Sequence, residues 1–174
     1  MTILLLGLMG SGKSTIGRLL ADHFGYKFHE MDHLVLEQSG FNSVSEVYEH
    51  RMSLWKESEL EVSKELSKKE NLVIAASGGL SENQLNILYF QENCKHLEIV
   101  FLHVEIEEAE KRLLNSANHS FSETEKEKMQ HNLEKIAQKR DFLNKIYASL
   151  LVDTSHNDAN QAVQEIVQKL QGRA

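Results

Sequence analysis

The segment Gly7-Leu8-Met9-Gly10-Ser11-Gly12-Lys13-Ser14 constrains this chain more than any other, because it satisfies the whole pattern of a phosphate-binding P-loop. Its flanks agree with it. Ile3 to Leu6 is a continuous apolar run, the signature of a strand covered on both faces. After the loop, Thr15, Ile16, Leu19 and Leu20 recur at helical spacing, and Gly25 can stop the helix. In a strand-loop-helix unit of this kind the glycines let the backbone curl, so that successive N–H groups point at phosphate oxygens, and the helix N-terminus adds its partial positive charge. Gly10, Ser11, Gly12, Lys13, Ser14 and Thr15 form the expected nucleotide-binding set. Lys13 offers its charge to the β and γ phosphates, and the Ser14 hydroxyl is placed to ligate magnesium. GTPases, ATPases and small kinases share this loop, so it identifies a phosphate site without identifying the acceptor.

The remaining elements extend the same architecture. Tyr26 to Met31 reads as a second strand ending at Asp32, and His33 to Lys69 as helical with a turn around Ser39, Gly40 and Asn42. Leu72 to Ala75, Ile99 to Val104 and Leu150 to Val152 read as further strands. Helical stretches begin at Ser81, span Glu107 to Leu114 and Glu125 to Ala148, and close the chain with Val163, Ile166, Val167 and Leu170 on one face. Strands alternating with helices imply βαβ units, hence an α/β fold with a mainly parallel sheet and helices on both faces. Ligands in such sheets bind beyond the carboxyl ends of the strands, so the loops after Leu6, Met31, Ala76 and Val104 are the ones to search.

A length of 174 residues predicts one domain over 1–174. The formal net charge of −7 disfavours broad attraction to nucleic acid or to an anionic membrane, which leaves a small-molecule substrate as the expected partner. A monomer is the expected state. The apolar run at Ile3 to Leu6 is too short to span a bilayer or to serve as a signal sequence. The single cysteine, Cys94, fits a reducing compartment, and a cytoplasmic location is expected. The histidines show no zinc-ligand spacing.

Two acids stand near the P-loop in the predicted topology. Asp32 follows the second strand, and Glu30, two residues earlier, lies on the same side of an extended chain. A carboxylate there orients or deprotonates an attacking hydroxyl, and its neighbour supports magnesium directly or through water. Ser77-Gly78-Gly79 after the third strand admits either close approach of a substrate or an ordinary turn. Arg140, beside Lys139 on the long helix, reads equally as a solvated charged face, and Arg112 carries the same ambiguity.

The chain resembles the shikimate kinase family, a branch of the small P-loop kinases. The resemblance rests on Gly7 to Leu20, on Phe28-His29-Glu30-Met31-Asp32, on Val73 to Gly79, on Val100 to Val104, on Lys139-Arg140 and on Val152-Asp153-Thr154. It implies a three-layer P-loop kinase fold and transfer of the γ-phosphoryl group of ATP, with magnesium, to a hydroxyl of shikimate in aromatic amino-acid biosynthesis. By the same resemblance Lys13 and Asp32 are catalytic, and Ser14 and Glu30 hold the metal, Glu30 standing where the family has its first Asp. Arg112 packs near adenine, while Asp32, Lys56, Gly78, Gly79 and Arg140 bind the acceptor, Arg140 through its carboxylate. A helical region at about 33–62 is implied to bind the substrate and a mobile lid is implied at about 115–124.

Three departures fall on the acceptor side. Trp55-Lys56 is nearest, after a one-residue spacing change, to the place where the family has an aromatic followed by arginine, and lysine keeps the charge but loses the planar, two-pronged grip. Ser77 replaces the first glycine of a three-glycine motif. No arginine occurs between Asn115 and Arg140, where the family carries a lid arginine, so slow catalysis or a substitute cation is expected. Two alternatives stand beside shikimate phosphorylation: a diverged kinase of another small hydroxylated acid, and a nucleotide-binding module with little kinase activity.

Overall fold

The computed structural model describes residues 1–41, 52–116 and 123–172. β1 (Thr2–Gly7) is buried along its whole length and forms the centre of a five-stranded sheet. It is flanked by β3 (Leu72–Ala75) and β4 (Leu97–His103), with β2 (Lys27–Glu30) and β5 (Leu150–Asp153) at the edges, in the order β2-β3-β1-β4-β5. Every pairing is parallel, and Leu4 of β1 sits between Ile74 and Ile99. The period-two alternation of strand side chains divides β1 between two cores. Leu4 and Leu6 face Val35, Trp55, Leu66 and Phe90. Ile3 and Leu5 face Ile16, Leu20 and Ile166.

Helices α1 (Lys13–Phe24) and α7 (Ala159–Gln171) cover the second face. Gly25 ends α1 in the left-handed conformation at φ 67°, as the sequence predicts. α7 starts on a reciprocal cap: the Gln161 N–H donates to the Asp158 carboxylate and the Asp158 N–H donates to the Gln161 side chain, both at 2.9 Å. The other face is covered by α2 (Met31–Ser39), α3 (Met52–Leu66) and α4 (Gln84–Asn93), the last preceded by a 3₁₀ turn at Leu80–Glu82. α5 (Ile106–Ser116) and the 25-residue α6 (Glu123–Tyr147) form a third cluster around Leu8, Ala109 and Leu133. This is the three-layer α/β arrangement expected for a P-loop kinase.

Several sequence-based boundaries shift, and one matters to the site. The second strand ends at Glu30, and Met31 already belongs to α2, so Asp32 lies in the first turn of a helix. Met31 and Val35, four residues apart and fully buried, draw this turn into the core, and an acid near a helix N-terminus is electrostatically favoured. Helix does not begin at Ser81; a 3₁₀ turn occupies Leu80–Glu82, and α4 starts after the Asn83 side chain accepts from the Leu85 N–H at 3.2 Å. The lid expected at about 115–124 falls mainly on 117–122, outside the described residues, while Asn115 and Ser116 complete α5 and Glu123 and Thr124 open α6. Of the substrate-binding region expected at about 33–62, residues 42–51 lie outside the described residues, and the rest is α2, its Gly40 cap and Phe41, and α3. Among the described residues no helix is long and apolar enough to cross a membrane.

Candidate active site

The P-loop lies between β1 and α1, at the carboxyl end of the sheet's central strand, where the topology puts a ligand. Gly10 takes φ 81°, and a Cβ there would fall 2.8 Å from the Ala109 carbonyl oxygen, so this turn has no room for a side chain against α5. A cavity of about 460 Å³ opens over the loop. Gly10, Gly12, Lys13, Ser14 and Thr15 line one part of it. Glu30, Asp32 and Arg112 complete the polar wall. Ser11 does not reach this wall: it is fully buried, and its N–H donates to the Leu8 carbonyl at 3.1 Å.

Lys13 Nζ donates to the carbonyls of Gly7 and Leu8, at 2.9 and 3.1 Å. Burial pulls its pKa down to about 8, against the opposing field of Asp32. The Ser14 hydroxyl donates to Glu30 Oε1, and Arg18 donates to the other Glu30 oxygen at 3.0 Å. Glu30 and Asp32 therefore reach the same cavity by a strand-to-helix turn, with Glu30 the extended residue before α2, and not by alternation along one strand. Arg112 joins three segments by donating to Glu108 at 2.9 Å, to the Gly10 carbonyl at 3.2 Å and to the Thr154 carbonyl at 2.5 Å. Of the two readings left open for Arg112, the directed bonds disfavour the solvated one, since they draw the guanidinium back onto the P-loop.

A second cavity of about 380 Å³ adjoins the first, and Met9, Lys13 and Asp32 line both. Lys56, Gly78, Gly79 and Arg140 all lie in its wall. Lys56 enters from the exposed side of α3, one residue after the buried Trp55. Arg140 is not on a solvated face: its side chain is only 11% exposed. It shares the inward stripe of α6 with Leu133, Ala137 and Asn144, spaced four, three and four residues apart. Gly78 and Gly79 make room for its guanidinium, since Cβ atoms there would lie 3.2 Å from Nη1 and 3.3 Å from Nη2.

Burial pushes the Asp32 carboxyl above the ordinary carboxylate range, against the pull of the Ser77 hydroxyl and Lys13. The buried Ser77 hydroxyl stands beside Asp32 and Glu59 without a hydrogen bond of full geometry to either. Ser77 is thus tucked into the wall of the second cavity. Glu59 is itself buried; burial raises its pKa, and Asn86 Nδ2 donates to it at 2.8 Å.

Sequence reasoning missed Arg18, Glu59 and Glu82. Glu59 had a signal, being an acid within the buried stripe Trp55, Ser58, Val62 and Leu66 of α3. Glu82 had none, because its partners Lys139 and Arg140 lie 57 and 58 residues away.

Comparison with known proteins agrees with this geometry. Residues 9–171 match the family model described as shikimate kinase. A shikimate kinase of Sulfurihydrogenibium sp. (strain YO3AOP1) is 29% identical over 98% of this chain and 98% of its own. The chloroplastic shikimate kinase 3 of Oryza sativa subsp. japonica is 38% identical over 52% of this chain, a match that spans 32% of the rice protein. Among solved structures, a shikimate kinase from Acinetobacter baumannii in complex with shikimate superposes with a TM-score of 0.84 at 25% identity, covering 99% of this chain and 93% of that one. The enzyme from Aquifex aeolicus gives 0.75 at 29% identity, over 99% and 98%.

Proposed function

This chain belongs to the shikimate kinase family, and from that premise we propose that it transfers the γ-phosphoryl group of ATP to a hydroxyl of shikimate. The observation that carries the reading is the meeting of two cavities at Lys13 and Asp32, which gives one phosphate-binding chamber and one acceptor chamber a shared wall.

The residues fit ATP and magnesium. The Ser14 hydroxyl and a Glu30 carboxylate oxygen touch, which is the hard-oxygen pairing that magnesium takes, directly or through water. When bound, the metal neutralises charge on the β and γ phosphates. The P-loop amides cradle those phosphates, and Lys13 exchanges its hold on the Gly7 and Leu8 carbonyls for phosphate oxygens. Arg112 holds Gly10 and Thr154 in place and forms the nucleotide wall at the adenine side.

Asp32 orients the acceptor hydroxyl and receives its proton as the new O–P bond forms and the bond to the β–γ bridging oxygen breaks, releasing ADP. Its raised pKa suits that task, because a stronger base accepts the proton more readily. Arg140 and Lys56 supply positive charge for the acceptor's carboxylate, and Gly78 and Gly79 let Arg140 stand close to the backbone. The same reading has a small-molecule substrate, a cytoplasmic setting where ATP is abundant, and a monomer acting alone.

A coupled ADP-release assay, with and without shikimate, tests the proposal. Shikimate-dependent turnover by folded protein with magnesium supports it, and turnover no faster than the water background rules it out. The Lys56 and Ser77 departures favour one second reading, a different small hydroxylated acid as acceptor. A panel of such acids decides between the two, since the true acceptor has the highest kcat/KM.

A further inference from the structure

The acceptor cavity contains an internal carboxylate. Glu82 accepts from Arg140 Nε at 2.7 Å with one oxygen and from Lys139 Nζ with the other. Glu82 is not a loosely held surface acid. Its own N–H donates to the Gly79 carbonyl at 3.0 Å, and the Leu80 and Asn83 amides close the same turn on the Ser77 and Leu80 carbonyls. Burial raises its pKa, but Lys139 and Arg140 outweigh burial and hold it below the ordinary range, so it stays ionised at neutral pH.

The edge of Arg140 that Glu82 uses is the informative detail. A guanidinium grips a carboxylate either along its side, through Nε and one terminal nitrogen, or end-on, through Nη1 and Nη2. Glu82 takes Nε alone. Nη1 and Nη2 stand over Gly78 and Gly79 and have no hydrogen-bond acceptor among the described residues, although the side chain is only 11% exposed. Counting Lys139 and Arg140 against Glu82, the trio keeps one net positive charge.

We propose that Glu82 is the positioning residue of the acceptor site, clamping Arg140 by Nε so that its two terminal nitrogens are presented end-on to the acceptor's carboxylate. The proposal rests on the shikimate reading for the identity of that acid. The opposite role would be competition, in which Glu82 occupies the guanidinium and the acceptor must displace it. The two roles predict opposite signs. Loss of a positioning clamp weakens an acidic acceptor, whereas loss of a competitor tightens it.

Trp55, the chain's single tryptophan, lines the same cavity, so its fluorescence reports acceptor binding without turnover. Shikimate and its methyl ester, which lacks the charge, are titrated into the wild type, Glu82→Ala and Glu82→Gln, and KM values for shikimate and ATP are measured in parallel. The expected result is that Glu82→Ala raises the Kd and KM for shikimate by about tenfold. The ester Kd and the ATP KM then move by less than about twofold, and Glu82→Gln, which keeps an oxygen for Nε, recovers most of the loss. An unchanged or lower Kd for shikimate in Glu82→Ala overturns the proposal, as does a Glu82→Gln variant as weak as Glu82→Ala. Should Glu82→Ala not fold, Glu82→Asp keeps the charge but withdraws it by one methylene; weakened shikimate binding there supports the clamp and an unchanged Kd overturns it. A wild type that binds shikimate without ADP release sinks the proposed activity and leaves this measurement intact. A wild type that does not bind shikimate at all sinks both.

Discussion

The proposed nucleotide chamber and the proposed acceptor chamber share Lys13 and Asp32 but are built from different materials. Backbone dominates the first: a glycine loop, a helix N-terminus and carbonyls held by Lys13 and Arg112. Side chains dominate the second, and they come from α2, α3, the turn before α4, and α6. A backbone-built chamber is specified within one short segment and tolerates little change. A side-chain chamber is specified by pairings across the chain, such as Glu82 with Arg140 and Glu59 with Asn86, and residue exchanges can accumulate there while the fold persists. That asymmetry accounts for an intact P-loop beside Lys56 and Ser77.

The largest effects are expected at the shared wall. Lys13→Ala removes the mobile cation from the phosphate chamber, and kcat/KM for ATP is expected to fall by about 10³-fold or more, measured by ADP release. A loss confined to the acceptor KM would place Lys13 in the other chamber. Asp32→Asn keeps the shape of the wall and removes the base. The expectation is a fall in kcat of about 10² to 10³-fold with the ATP Kd unchanged, read by calorimetry alongside kinetics. Full activity in this variant would remove Asp32 from the reaction.

Lys56→Arg acts on the acceptor side alone. An arginine offers two parallel donors where lysine offers a point charge, so KM for shikimate is expected to fall about threefold, with the ATP KM unchanged. A rise in KM would mean that the cavity is fitted to the shorter side chain and to another acid.

The same division explains what could be read from the sequence. The P-loop, the buried parallel strands and the residues Lys13, Ser14 and Asp32 follow from local pattern, and those three residues line the cavity over the loop. Arg140 was legible in principle, from its place on the Leu133, Ala137 and Asn144 stripe, but the dense charge around it resembles a solvated face. The turn that brings Glu30 and Asp32 together was hidden because Tyr26, Phe28 and the apolar Met31 suit a short strand, while the buried Met31–Val35 pair makes the last of them helical. Glu82 was beyond reach for a different reason: only the tertiary fold brings a turn after β3 against α6.

The smallest effect is expected at Ser77, the residue that replaces a family glycine. Its hydroxyl is buried beside two carboxylates whose pKa values burial has already raised, Asp32 and Glu59, and its polar neighbourhood works against that rise in both. Ser77→Ala removes that opposing effect. The Asp32 carboxyl then rises further above the ordinary range, so the base is protonated at a higher pH and activity is lost earlier on acidification. The acid limb of the kcat–pH profile should move upward by less than about one pH unit, with kcat at the plateau unchanged. A limb that moves downward would mean that Ser77 accepts from a protonated carboxyl instead of donating to a charged one. An unmoved limb would mean that the hydroxyl faces Glu59 alone, and that the serine exchange is silent on the acceptor side of the reaction.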